Sequence, residues 1–80
     1  MAPLRVALVG CGGIAAAHEA AIRRHPATSL VAAVDVDESA RQRASAEWTV
    51  PTFAGLREMV RAMDVDAACV IRADRLVGYP

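Results

Sequence analysis

The chain has 80 residues, 55% of them hydrophobic and 22% charged, with nine basic and nine acidic side chains and a formal net charge of zero. That length allows one small domain at most, and the charge balance leaves no electrostatic footprint for nucleic acid or an anionic membrane. All nine basic residues are arginines, so a lysine cannot serve as a catalytic group within these residues.

Leu4 to Val9 is short, rich in branched side chains and almost wholly apolar, as a strand covered on both faces should be. Gly10-Cys11-Gly12-Gly13 interrupts it. From Ile14 the apolar positions Ile14, Ala17, Ala21 and Ile22 follow helical spacing, with Arg23 and Arg24 in the last turn and Pro26 ending the helix at or before His25. A second buried strand is predicted over Leu30 to Val36. A second helix follows from about Glu38 to Trp48, capped by Asp37 or Ser39, with a weak, mostly alanine apolar face. Val50 to Phe53 reads as a short strand in which Pro51 marks an edge or a start. Leu56, Met59, Val60 and Met63 form a helical stripe, and Ala67 to Ile71 a fourth strand.

The order β-α-β-α-β-α-β predicts an α/β fold, a partial Rossmann fold with a parallel four-stranded sheet and helices on both faces. Strands one and four should be neighbours in a 3-2-1-4 arrangement. Residues 1–71 make the first half of such a domain; Arg72 to Pro80 carry no interpretable pattern. Met1 to Arg5 lack the pattern of a signal peptide. The apolar runs fall short of the roughly 18 residues of a membrane span, and two cysteines are too few for a disulfide framework. A cytoplasmic setting is expected.

The chemistry concentrates in Gly10-Cys11-Gly12-Gly13-Ile14-Ala15, which fits G-x-G-x-x-G/A. The first glycine permits the tight turn out of the strand. Gly12 lets backbone approach a pyrophosphate, and Ala15 lets the helix pack close to the strand. The helix start then offers free N–H groups and its positive dipole end to phosphates. Asp35 follows about 20 residues past Ala15, where a carboxylate can accept both hydrogen bonds of the adenosine ribose diol. It would also repel a 2′-phosphate, and Val36 and Asp37 supply no adjacent arginine, so NAD is expected over NADP. The competing reading is a glycine-rich turn beside an acid that merely caps the next helix.

These residues resemble the start of the Gfo/Idh/MocA family of oxidoreductases. The likeness runs through Val9 to Ala15, His18, and Leu30 to Asp35, and continues in Pro51, Phe53, Leu56 and Asp66-Ala67. It implies an N-terminal Rossmann domain followed by a C-terminal α/β domain with a large open sheet, using NAD(P) for hydride transfer on sugars, polyols and related compounds. It also implies a Thr-Pro-like turn and a histidine after the fourth strand, then a lysine in a Glu-Lys-Pro motif. Here Arg72-Ala73-Asp74-Arg75-Leu76 departs from that pattern, and neither the motif nor a substrate domain follows. No catalytic residue is therefore assigned to this chain.

Other residues have simpler readings beside functional ones. Cys11, at a helix start, is either a reactive thiol or a small side chain tolerated in a crowded turn. Cys69 reads as core, although adjacency of the first and fourth strands would let the two sulfurs approach. His18 reads as a packed or hydrogen-bonded histidine, His25 as a helix-end residue, Met59 and Met63 as core, and Trp48 as the closure of the second helix. Arg41, Arg43, Arg57 and Arg61 read as solvated helix faces. No His or Cys pair has metal-ligand spacing. Three functions follow: the cofactor-binding start of an oxidoreductase in truncated form, a nucleotide-binding module without chemistry, or a fragment that binds nothing. An unpaired fourth strand leaves an open sheet edge for self-association.

Overall fold

The computed structural model describes residues 2–71. The unpatterned segment from Arg72 lies outside the described residues. The elements in chain order are β1 (Leu4–Val9), α1 (Ala15–Arg24), β2 (Thr28–Val34), α2 (Glu38–Trp48), β3 (Thr52–Phe53), α3 (Leu56–Ala62) and β4 (Ala67–Val70). All strand pairings are parallel, in the order β3-β2-β1-β4. The alternation of period that marks each element in the sequence thus yields the expected partial Rossmann sheet.

Two separate cores lie on the two sides of the sheet. Leu8 and Ala33 pack with Cys11, Ala15 of α1, and Ala40, Ala44 and Trp48 of α2. Ala7, Ala32 and Val34 pack on the other side with Met59 of α3. Right-handed crossovers explain the division, because α1 and α2 connect strands that step one way through the sheet and α3 connects strands that step back. The spacing of Ala40, Ala44 and Trp48 turns an alanine-rich helix into an adequate face: two small residues let α2 approach closely, and the indole fills the end.

Pairing between β1 and β2 begins at Leu4↔Thr28 and slips by one residue between Val6 and Ala7, where a bulge absorbs Val31. Val31 and Ala32 consequently both pack toward the α3 side, although they are consecutive. Cross-sheet pairing also moves β2 two residues earlier than the apolar run suggests. The strand proper ends at Val34, and Asp35 follows it, its N–H still donating to the Phe53 carbonyl at 3.0 Å. Pro51 stands just before β3, where its carbonyl accepts from Ala33 N–H at 3.1 Å, consistent with a strand start.

Two predicted helix faces need correction. In α1 the inward residue is Ala15, fully buried, with His18 and Ile22 half-buried; Ile14, Ala17 and Ala21 face solvent. The helix begins at the third small residue of the turn, which rotates its packed face by one position. In α3 only Met59 is buried and Met63 half-buried, whereas Leu56 and Val60 are exposed. Seven residues make only two turns, enough to seat one large side chain on the sheet.

β4 forms one edge of the sheet, held to β1 through Val6↔Ala67 to Val9↔Val70. Arg5 secures its entry, donating its N–H to Asp66 Oδ2 at 2.8 Å and its side-chain Nε to the Asp64 carbonyl at 2.9 Å. Ala67, Ala68 and Val70 are exposed, so the apolar open edge read from the sequence is present among the described residues.

Candidate dinucleotide-binding cleft

The turn from β1 to α1 is built around Gly10. Its φ is +102°, a conformation that L side chains rarely adopt, and a Cβ there would sit 2.7 Å from the Ile71 carbonyl oxygen. Gly10 N–H donates to the Val34 carbonyl at 2.7 Å, so the chain leaves β1 still anchored to β2. Gly12 and Gly13 differ in kind. A Cβ at either would meet nothing within 4 Å, so these two residues present bare backbone to open space.

α1 starts without a side-chain cap: Ile14 at the N-cap makes no capping hydrogen bond, and the first turn contains no acidic residue. Ala15 N–H donates to the Gly12 carbonyl at 2.9 Å and Ala17 N–H to the Ile14 carbonyl at 3.2 Å, so what this end of the helix offers an external anion is its positive dipole end, with no acidic side chain against it. Ala15, wholly buried, lies against Leu8 and Ala33, and a larger side chain would hold the helix away from the sheet.

Asp35 brings the second strand into this turn. Its Oδ2 accepts from Cys11 N–H at 2.8 Å and its Oδ1 from Asp37 N–H at 2.8 Å. One carboxylate thus joins the glycine turn to the start of α2. Each oxygen keeps a further lone pair for a hydroxyl donor. Arg41 holds the same segment from behind, donating Nη1 to the Asp35 carbonyl at 2.8 Å and to the Val36 carbonyl at 3.1 Å. This half-buried arginine was expected on a solvated helix face; nothing in the spacing of the sequence signals its tie to the strand end.

Asp37, and not Ser39, caps α2 by accepting from Ala40 N–H at 3.2 Å. The Ser39 hydroxyl above all, then the Ala40 and Ser39 amides, hold the Asp37 carboxyl below the ordinary carboxylate range, with Arg43 adding to the effect. Around the strand ends an open cleft of ≈ 640 Å³ is bounded by Gly10, Asp35, Val36, Leu56, Val70 and Ile71. Val36 is 87% exposed, an apolar side chain without cover at the rim of this cleft. A flat apolar group could lie there while the carboxylate takes hydroxyls beside it.

The two cysteines do not form a pair. Cys11 is buried and directs its sulfur to the Val34 carbonyl at 3.6 Å, on the β2 side of β1. Cys69 lies on β4, on the other side of β1, with its sulfur 3.9 Å from His18 Nδ1; both cysteines are free. Burial first, and the Asp35 carboxylate second, push the Cys11 thiol up from its ordinary value of 9.0, against smaller opposing effects of Arg43 and the Val34 carbonyl. The helix start therefore does not activate it.

A folded pKa above the unfolded one means that the neutral thiol's contribution is complete below 9.0 and disappears as pH rises through the folded value. At about pH 8, iodoacetamide is expected to modify half-buried Cys69 well before Cys11. Peptide mapping that found Cys11 alkylated first would contradict this assignment.

Among the described residues no group of three or more His, Cys, Asp or Glu side chains is positioned to hold a metal ion, and no helix is long and apolar enough to cross a membrane. The seven predicted site residues do come together: Gly10 to Ala15 form the turn and Asp35 is hydrogen-bonded to it. Bare backbone, an uncapped helix start and a neighbouring carboxylate suit a diphosphate linked to a ribose diol.

Comparison with known proteins gives the family. Residues 4–77 match the family model described as an oxidoreductase family with an NAD-binding Rossmann fold, GFO_IDH_MocA. The chain is 32% identical to the WlbA dehydrogenase from Bordetella pertussis, solved with NADH and UDP-GlcNAcA, over 88% of this chain and 22% of that one, with a TM-score of 0.82. It is 26% identical to myo-inositol 2-dehydrogenase from Lactobacillus plantarum, over 88% of this chain and 21% of that one, at a TM-score of 0.74. It is 25% identical to scyllo-inositol dehydrogenase from Lactobacillus casei, solved with NAD(H) and scyllo-inositol, over 88% of this chain and 21% of that one, at a TM-score of 0.76. The chain therefore spans about a fifth of the length of these structures. No curated protein matches it. The chain belongs to the Gfo/Idh/MocA oxidoreductase family and carries the NAD-binding Rossmann fold of that family.

Proposed function

We propose that Gly10 to Ala15 and Asp35 bind the adenosine diphosphate portion of NAD, and that residues 1–71 are the first half of the dinucleotide-binding domain of an oxidoreductase. One observation carries the reading: the Asp35 carboxylate is tied to Cys11 N–H at the mouth of the glycine turn, within the same cleft that Val36 borders. Gly12-Gly13 and the start of α1 would hold the diphosphate, Asp35 would accept from the ribose diol, and Val36 would lie against the adenine. The carboxylate favours NAD over NADP because a 2′-phosphate beside it would be repelled.

When bound, the nicotinamide supplies the capacity to accept or donate a hydride. In this reading the seven site residues hold the cofactor, and none of them is assigned to proton transfer with the substrate. Hydride transfer on a sugar, polyol or related compound is the whole enzyme's activity in this reading. The β4 edge, which no described residue pairs with on its outer side, favours self-association of this chain in this reading.

Calorimetric titration tests the proposal. NAD and ADP-ribose are expected to bind with affinities within about threefold of each other, because the interactions lie on the adenosine side. An affinity for NAD far above that for ADP-ribose would show that the nicotinamide half has its own site here. Binding of neither would remove the reading altogether.

A further inference from the structure

On the α2 side of the glycine turn lies a recess of ≈ 140 Å³, bordered by Cys11, Gly12, Gly13, Arg43, Glu47 and Trp48. Gly12 and Gly13 leave one wall without side chains. Arg43 borders the same recess; it is exposed, and it makes no ion pair among the described residues, where Arg23 and Glu19 do. Its charge reaches both Cys11 and Asp37, the two residues whose amides hold Asp35. Glu47, one turn further along α2, also borders the recess and adds a carboxylate to it. Arg43 is thus the one basic side chain among the residues that border this recess beside the glycine turn.

We infer that Arg43 is a cofactor-binding residue that meets a phosphate group of the bound dinucleotide across the bare Gly12-Gly13 backbone. The inference rests on the dinucleotide site proposed above and adds a side chain to it from outside the G-x-G-x-x-A segment. Arginine suits the position, since its planar fork can engage two phosphate oxygens and it stays charged at all relevant pH. Asp35 and Arg43 then act as opposites around the turn: the first accepts hydroxyls, the second meets anionic oxygen. The phosphate is either the diphosphate shared by NAD and ADP-ribose or the 2′-phosphate of NADP. In the second case Arg43 offsets the preference that Asp35 imposes.

The test titrates NAD, NADP and ADP-ribose into the 80-residue chain and into R43A, E47Q and R57A. Arg57 is an exposed arginine on α3, across the sheet, and reports any general effect of removing one positive charge. R43A is expected to lose about tenfold in affinity for at least one ligand, with its thermal melt unchanged. E47Q is expected to gain about twofold for the same ligand, and R57A to match the unmodified chain. A loss shared by all three ligands identifies the diphosphate; a loss confined to NADP identifies the 2′-phosphate. R43A binding every ligand as the unmodified chain does, or R57A losing as much as R43A, overturns the inference while leaving the dinucleotide site standing. An unmodified chain that binds none of the three removes the site itself, and this inference with it.

Discussion

Gly10→Ala is expected to lower the thermal midpoint of the chain by more than about 10 °C, from a loss of roughly 3 kcal/mol. Two costs combine. The backbone holds φ at +102°, and the added Cβ would lie 2.7 Å from the Ile71 carbonyl oxygen, which is main chain and cannot swing aside. The neighbouring Ile71 N–H donates to Val9 at 2.8 Å, so relief of the clash would pull β4 from β1. Gly12→Ala offers the control: with nothing within 4 Å of its Cβ it should melt near the unmodified chain, yet bind dinucleotide more weakly because the methyl fills the space a phosphate needs. Equal midpoints for the two variants in a thermal scan would show that the strand exit does not depend on Gly10.

Asp35→Asn should weaken NAD binding by about 30-fold and NADP binding by distinctly less. The carboxylate has two jobs, and asparagine fails at both. Its two oxygens accept from Cys11 and Asp37 N–H groups, each at 2.8 Å; an amide keeps one acceptor and turns an NH2 toward the other N–H donor. The glycine turn and the start of α2 then lose their common anchor, which weakens both cofactors. NAD also loses an acceptor for its ribose diol, whereas NADP gains relief from repulsion of its 2′-phosphate. Equal losses in the two titrations would confine Asp35 to holding the turn and take the ribose contact away from it.

These two residues also show why parts of the molecule were legible in the sequence and others were not. Gly10, Gly12, Ala15 and Asp35 are constrained by backbone conformation, close approach and charge, which act over short distances along the chain and leave their mark in residue type. α2 emerges from the sequence with the bounds Glu38–Trp48 that it has in the structure, because Asp37 at one end and Trp48 at the other are both distinctive. Helix rotation is a different matter. Alanine-rich α1 offers almost the same surface at Ala15, Ala17 and Ala21, so only packing against Leu8 and Ala33 decides which of them turns inward. The bounds of β2 were obscured for a similar reason: Thr28 and Ser29 join the strand because β1 lies alongside, not because their own side chains favour burial. Arg41 and Arg43 read alike in the sequence, as polar positions on one helix. One is taken up by the carbonyls of Asp35 and Val36, and the other lines the recess by Gly12.

The extra residue absorbed at Val31 bears on every contact that Asp35 makes. Along an unbroken pleat, residues an odd number apart face opposite ways, so Leu30 and Asp35 would point to different sides of the sheet. The slip restores their parity. Leu30 packs toward α1 and α2, and the carboxylate reaches Cys11 on that same side. The irregularity in the middle of β2 thus works as a phase correction, aiming an acid several residues downstream.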